Sequence, residues 1–135
     1  LVGSEMCIRD RLNTVNIGNV SASVLNVGSV NQGSDMRFKN FIFPLETKYG
    51  LSFINNLKPV TYNLISNGKN SIGLIAQDVE EVDASSYFTG SFINENSVEM
   101  KTVDYSKMVV PLIKAVQELS DEIDRLKKEI EELKK

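Results

Sequence analysis

The sequence has no histidine and one cysteine among its 135 residues. Without histidine, the usual zinc sites cannot be built. Neither a Ser-His-Asp triad nor a Cys-His pair is possible. Any nucleophilic chemistry must therefore take its base from Lys, Asp, Glu or Tyr. We predict no metal and no cofactor.

A strong charge of either sign is also missing, since the formal net charge is −3. So small a charge gives no reason to expect a nucleic-acid or membrane-surface partner. No apolar run is long enough to span a bilayer. The hydrophobic content of 41% is ordinary and permits a modest core. The length suits one domain with an appendage.

Residues 1–11 read as the translation of a sequencing adapter that was joined to the gene during library construction. On this interpretation these residues are not part of the natural protein and say nothing about its fold. Cys7 is then not native, and we expect the natural protein to continue upstream of residue 12. The alternative is a genuine polar N-terminal segment.

Residues 12–33 contain no charged residue and interleave valine and isoleucine with Asn, Ser, Thr and Gly. This pattern predicts short β-strands joined by tight turns. The segment is too short and too polar to fold alone. We therefore predict that it is the end of a β-rich fibre shaft whose neighbouring chains complete it. A disordered linker is the alternative.

Residues 34–105 predict a small globular α+β domain. A helix is expected over residues 46–57, weakened by Gly50. A hairpin of residues 60–65 and 71–76 should turn at Asn67-Gly68, where both turn positions need φ > 0. A short helix over 77–82 and a second hairpin of residues 87–93 and 98–103 should follow.

Residues 106–135 predict a long C-terminal coiled-coil helix. Asp104 or Ser106 can cap it, and Pro111 requires either a kink or a later helix start. Beta-branched residues at a and leucine at d favour a parallel dimer, and Glu122 should pair with Lys127 across the seam. The apolar positions alternate steps of three and four: Val109, Leu112, Val116, Leu119, Ile123, Leu126, Ile130 and Leu133.

Ser34 and Lys39 form a possible nucleophile and base at the border between the uncharged segment and the globular domain. A neutral lysine activates serine in Ser-Lys hydrolases, and burial or a nearby cation favours the neutral form. Arg37, Phe38 and Phe41 could supply those influences. Five-residue spacing fits neither a helix nor a strand. A turn must therefore intervene, or the lysine must come from another chain.

The stretch from Ser34 to Ile42 resembles the SDxRxKxxI motif that opens the intramolecular chaperone auto-processing domain. That domain is the C-terminal part of many phage tailspikes, tail fibres and endosialidases. Three further stretches are similar to the family in the same order, so the resemblance extends to Lys135. They are Leu57–Tyr62 (L-x-P-V-x-Y), Ile72–Val79 (I-G-F/L-I-A-Q-E/D-V), and Val103–Tyr105 followed by Ala115–Leu119 (V-D-Y … A-I-Q-E-L).

The resemblance implies a homotrimer, against the heptad preference, that folds the upstream fibre shaft and then releases itself by autoproteolysis. Ser34 would be the nucleophile and Lys39 its base, with Asp35 and Arg37 supporting the loop. Attack on the Gly33 carbonyl would cleave the Gly33–Ser34 bond, and the Ser34–Asp35 bond is the alternative. Folding and cleavage would occur in the host cytoplasm during virion assembly, and the parent protein would enter the tail fibre.

Two other interpretations remain open at the level of sequence. The chain could be a non-catalytic trimerisation module in which Ser34 only caps a turn. It could also be a coiled-coil adaptor for a host partner, although that hypothesis leaves the four similar stretches unexplained.

Overall fold

The computed structural model describes residues 18–22 and 24–135, and the chain divides into two units, Leu1–Phe41 and Ile42–Lys135. The predicted adapter segment, residues 1–11, lies outside the described residues. In the first unit, residues 18–22 and 24–33 form neither helix nor strand and are exposed. The assignment of residues 12–33 to a fibre shaft therefore stays a prediction. The regular element described in this unit is a 3-10 turn, Met36–Phe38.

The second unit alternates short helices with two antiparallel hairpins and ends in a long helix. This confirms the predicted α+β class with its C-terminal helix. Along the chain its elements are a 3-10 turn Thr47–Tyr49, α1 Leu51–Asn56, β1 Val60–Asn63, β2 Asn70–Gly73, α2 Ala76–Val82, β3 Thr89–Ile93, β4 Glu99–Val103, a 3-10 turn Tyr105–Met108 and α3 Val109–Leu133.

The helix predicted over residues 46–57 is interrupted at Gly50, so the prediction of a continuous helix is wrong. Gly50 has φ −95° and ψ −132°, which separates the 3-10 turn from α1. The Glu118 carboxylate of α3 occupies the space beside it and accepts a hydrogen bond from the Leu51 N–H at 2.9 Å. A long-range contact therefore fixes where α1 begins.

Both predicted hairpins form, but the first turn differs from its prediction. β1 pairs with β2 in a register that places Val60 opposite Gly73. Within this turn only Gly68 takes a positive φ, +68°. The Asn67 side chain accepts a hydrogen bond from the Lys69 N–H. The connection is longer than two residues and needs one left-handed position, whereas a type I′ turn needs two.

The second hairpin pairs β3 with β4, and Thr89 lies opposite Val103. Asn94 shapes its turn by accepting hydrogen bonds from the N–H groups of Asn96 and Val98, both at 2.9 Å. Ser97 provides the left-handed residue with φ +59°. Asparagine side chains commonly make such local bonds in turns, which is why the polar triplet 94–96 predicted the turn.

The hydrophobic core lies where α1, α2, the start of β3 and the start of α3 meet. Phe53 and Phe88 are nearly fully buried, and their ring centroids are 4.8 Å apart. Burial of each large apolar side chain contributes about 1.5–3 kcal/mol relative to exposure. The buried residues of this core cluster are Tyr49, Phe53, Val79, Phe88 and Met108.

The C-terminal helix starts later than residue 106, as the position of Pro111 suggested. The Asp104 carboxylate accepts a hydrogen bond from the Lys107 N–H at 3.3 Å and caps the preceding 3-10 turn. α3 then starts at Val109. Pro111 therefore falls in the first helical turn, where a missing N–H costs no hydrogen bond.

The eight heptad residues of α3 are between 43% and 85% exposed in the single chain. Arg125 pairs with both Glu122 and Glu129 within the helix. The predicted pairing of Glu122 with Lys127 across a seam would join a carboxylate that already accepts hydrogen bonds from Arg125. None of the helices in the described ranges is long and apolar enough to cross a membrane.

Candidate functional site

The 3-10 turn Met36–Phe38 is the element that builds the candidate site. Asp35 is its N-cap, and its carboxylate accepts a hydrogen bond from the Arg37 N–H at 2.8 Å. The backbone N–H of Phe38 bonds to the Asp35 carbonyl at 3.1 Å, and that of Lys39 bonds to the Met36 carbonyl at 3.0 Å. A short polar side chain at an N-cap satisfies N–H groups that have no partner inside the turn.

The side chains of Asp35 and Arg37 form a two-point ion pair across this turn. Arg37 donates from Nε to Oδ1 at 3.1 Å and from Nη2 to Oδ2 at 2.8 Å. The side-chain bond from Arg37, followed by the backbone bond from the same residue, holds the pKa of Asp35 below its usual value. The same bond raises the pKa of Arg37. The guanidinium that we considered as a cation for the lysine therefore pairs with Asp35.

The turn brings Ser34 and Lys39 into contact within one chain. Lys39 Nζ lies 2.5 Å from Ser34 Oγ, across a separation of five residues. Before the turn the chain is extended, and after it Lys39 is extended again with φ −130° and ψ 144°. This return of the backbone is the turn that the spacing required, and the single chain supplies both members of the pair.

The surroundings of this pair are open to solvent in the single chain. Phe38 and Phe41 are 87% and 84% exposed, so they do not provide the burial that the sequence suggested. Phe41 takes a φ of +51°, which is unusual for a bulky residue. A Cβ added at Gly33 would meet no heavy atom within 4 Å. Gly33 itself is exposed in the single chain.

The chemical groups of the site are a hydroxyl, an amine in direct contact with it, and the peptide carbonyl of the exposed Gly33, which directly precedes the serine in the chain. Within the described residues no group of three or more His, Cys, Asp or Glu side chains could hold a metal ion. Of the five residues predicted for the site, four interact in two pairs: Ser34 with Lys39 and Asp35 with Arg37. Gly33 lies directly upstream of Ser34 in the sequence.

Outside this site, contacts of the Tyr105 hydroxyl connect two of the other stretches that resemble the family, Ile72–Val79 and Val103–Tyr105. The Tyr105 hydroxyl accepts a hydrogen bond from the Leu74 N–H at 2.8 Å and donates to the Leu74 carbonyl at 3.3 Å. A Cβ on Gly73 would lie 2.6 Å from that hydroxyl. Local sequence patterns assign no role to Tyr105 or Gly73. Their presence in the quoted motifs was the signal that could have identified them.

Comparison with known proteins found a family model that matches part of the chain. The model of a peptidase family described as the chaperone of endosialidase matches residues 34–87. This match confirms the resemblance over residues 34–87, and it supports a chaperone domain in this part of the chain. The similarity at Val103–Tyr105 and Ala115–Leu119 lies outside the matched residues. The match begins at Ser34, the first residue of the candidate pair. No curated protein matches the chain.

Proposed function

We propose that this chain is the C-terminal intramolecular chaperone of a phage tail fibre or tailspike, and that it removes itself by autoproteolysis. The family match from residue 34 supports the chaperone assignment. The observation that carries the autoproteolysis is the 2.5 Å contact between Lys39 Nζ and Ser34 Oγ, immediately after an uncovered Gly33. The three elements of an acyl transfer are thus adjacent in one short segment.

In the proposed reaction, neutral Lys39 accepts the proton of the Ser34 hydroxyl. The Oγ atom attacks the Gly33 carbonyl carbon, a C–O bond forms and the C–N bond to Ser34 breaks. Lys39 returns the proton to the departing Ser34 nitrogen, which leaves an ester between Gly33 and Ser34. Water then hydrolyses this ester, giving a carboxylate at Gly33 and a free amino group and hydroxyl at Ser34.

The Asp35–Arg37 ion pair supports this chemistry by fixing the turn rather than by reacting. Both carboxylate oxygens of Asp35 are engaged by Arg37, so neither is directed at the serine. An exposed ion pair contributes little stability alone. Here it adds to an N-cap and two backbone bonds that together place the lysine.

Assembly completes the proposal. The exposed heptad face of α3 supports self-association, and similarity to the family favours a homotrimer that aligns the upstream shaft of the same polypeptide. Cleavage would take place in the host cytoplasm during virion assembly, leaving the shaft in the tail fibre. Removal of the chaperone would leave the assembled shaft without a low-barrier route to unfolding, which is kinetic stability.

A gel of the chain expressed with its natural upstream shaft tests the reaction. The parent protein should give two fragments, and mass spectrometry should find a C-terminal fragment that begins at Ser34. Ser34→Ala and Lys39→Ala should remain intact, while Ser29→Ala and Lys48→Ala, exposed residues of the same types outside the pair, should cleave normally. A fragment that begins at Asp35 would move the cleaved bond by one residue.

A non-catalytic trimerisation module is the second candidate. It is favoured by the exposure of the whole pair in the single chain. A parent protein that folds and assembles but stays intact would establish this alternative and exclude autoproteolysis.

A further inference from the structure

The turn of the first hairpin contains an asparagine followed by a glycine, a pair that occurs once in the sequence. Asn67 and Gly68 are both exposed, and a Cβ added at Gly68 would meet no heavy atom within 4 Å. The backbone nitrogen of the next residue can attack an asparagine side-chain amide, and glycine shields that nitrogen least because it has no Cβ. The turn therefore exposes both partners of such a reaction.

The amide that would be attacked is held against the backbone that follows it. The Asn67 Oδ1 atom accepts a hydrogen bond from the Lys69 N–H at 2.9 Å, so the side chain turns toward the backbone of Gly68 and Lys69. Attack on the amide carbon moves negative charge onto this oxygen, and a fixed N–H donor stabilises charge that develops there. At an exposed position such a donor adds little over water.

The attacking nitrogen, that of Gly68, is itself hydrogen-bonded. Its N–H donates to the Leu64 carbonyl at 2.7 Å, and Gly68 takes a φ of +68°. The nitrogen becomes a nucleophile only after it loses this proton, so the bond to Leu64 must break before the attack. Because the Lys69 donor adds little, the bond that must break decides how the folded chain differs from the unfolded chain.

We propose that Asn67 is a site of spontaneous deamidation, and that the turn slows the reaction without preventing it. Hydroxide removes the Gly68 N–H proton, and the nitrogen attacks the Asn67 Cγ atom. A C–N bond forms, the bond from Cγ to Nδ2 breaks, and Nδ2 takes a proton from water and leaves as ammonia, which regenerates hydroxide. Water then opens the succinimide at either carbonyl and gives aspartate or isoaspartate at position 67.

The two products should affect the hairpin differently. Aspartate keeps a side-chain oxygen that can accept the Lys69 N–H, so the turn should remain. Isoaspartate adds one methylene to the backbone of a turn that is closed by the bond from the Leu64 N–H to the Lys69 carbonyl at 2.9 Å. Turn length sets the register of a hairpin, so the isoaspartate chain should have a lower urea midpoint than Asn67→Asp.

Peptide mapping by mass spectrometry at mildly alkaline pH tests the site, in the full chain carrying Ser34→Ala so that it stays intact. Both products should accumulate at position 67, and hydroxylamine should cleave the succinimide there. Asn96 is the internal control, because Ser97 also has a positive φ, +59°, and its N–H bonds to the Asn94 carbonyl at 3.0 Å. The Ser97 Cβ shields the nitrogen, so Asn96 should convert about tenfold more slowly.

The variant Ser97→Gly removes that Cβ in a position where glycine accepts the backbone conformation. Conversion of Asn96 should therefore rise about tenfold in this variant, while conversion of Asn67 stays unchanged. An Asn96 that does not respond would refute the role given to the missing Cβ of Gly68. Equal conversion of Asn67 and Asn96 in the parent chain would overturn the assignment of the site.

Unfolding the same chain in guanidinium chloride tests the bond from Gly68 to Leu64. Its loss should accelerate conversion of Asn67 about two- to tenfold, the factor that corresponds to one ordinary hydrogen bond. A rate that is unchanged or lower in the unfolded chain would refute protection by this bond. A folded chain that keeps its Asn67 amide while the unfolded chain converts would overturn the proposal, because the turn would then prevent the reaction.

Discussion

Replacement of Gly50 by alanine tests whether α3 fixes the start of α1. A Cβ at this position would lie 2.2 Å from Oε1 of Glu118 and 2.8 Å from its Oε2. Alanine must therefore displace the carboxylate, and the 2.9 Å bond from the Leu51 N–H to Oε2 is lost. A hydrogen bond to a charged group contributes about 1.5–3 kcal/mol. We expect Gly50→Ala to lower the free energy of unfolding by about that amount.

A double-mutant cycle separates this clash from the ordinary effect of alanine at a glycine. Glu118→Ala removes the carboxylate and frees the space, so Gly50→Ala added to it should be nearly neutral. The coupling energy between the two sites should then be about 1.5–3 kcal/mol. Glu118 Oε1 is buried without a hydrogen-bond partner among the described residues, which should reduce the cost of Glu118→Ala alone.

Urea unfolding followed by circular dichroism measures all four chains at one fixed protein concentration, because association adds to apparent stability. Ser34→Ala in every chain prevents cleavage during the measurement. Gly28→Ala is the control, since a Cβ there meets nothing within 4 Å. Effects of Gly50→Ala and Glu118→Ala that add within about 0.5 kcal/mol would refute the proposed contact.

Two further predictions concern single hydrogen-bonding side chains. Tyr105→Phe removes the hydroxyl that forms hydrogen bonds with the Leu74 N–H and carbonyl. The free energy of unfolding should therefore fall by about 0.5–1.5 kcal/mol in the same urea assay. An unchanged urea midpoint would contradict the role of these hydrogen bonds. Hydrogen bonds from Arg37 lower the pKa of Asp35 from its usual 3.8. The stabilisation of the turn by this carboxylate should therefore be complete above pH 3.8 and be lost as the pH falls through the lowered pKa. An NMR titration in which the Asp35 carboxyl signal shows a pKa of 3.8 would contradict this.

Local signals in the sequence predicted most elements of the second unit. The helix expected over residues 77–82 is Ala76–Val82. The strands of both hairpins start and end within three residues of their predicted bounds. Periodicity and turn residues act over a few positions, so one sequence can reveal them. Pro111 predicted either a kink or a later helix start for the same reason, and α3 takes the second of these by starting at Val109.

Contacts between distant residues account for what the sequence did not predict. The break at Gly50 depends on Glu118, which is 67 residues from Leu51 along the chain. The role of Tyr105 depends on Leu74, 31 residues away. No local pattern encodes such pairs: glycine at position 50 weakened the predicted helix, but nothing nearby in the sequence pointed to Glu118 as its partner.

The candidate site has one feature that local sequence patterns predicted and one that they did not. The spacing of Ser34 and Lys39 required a turn, and the turn is formed by Asp35 and Arg37 between them. Phe38 and Phe41, which could have buried the lysine, are exposed in the single chain, and residue type alone does not determine whether an aromatic side chain is covered. Local sequence patterns therefore predicted the contact between Ser34 and Lys39 but not the exposure of the residues around it.

The locality of the 3-10 turn also bears on when the candidate pair can form. Every contact that places Lys39 beside Ser34 lies within six consecutive residues, so no distant part of the chain has to arrive first. Closing a loop of this size takes on the order of 100 ns or less, whereas a domain with long-range contacts takes far longer. The serine and lysine can therefore meet on a newly synthesised chain well before the core has closed. The timing of any cleavage must then be set by a step other than the meeting of these two residues.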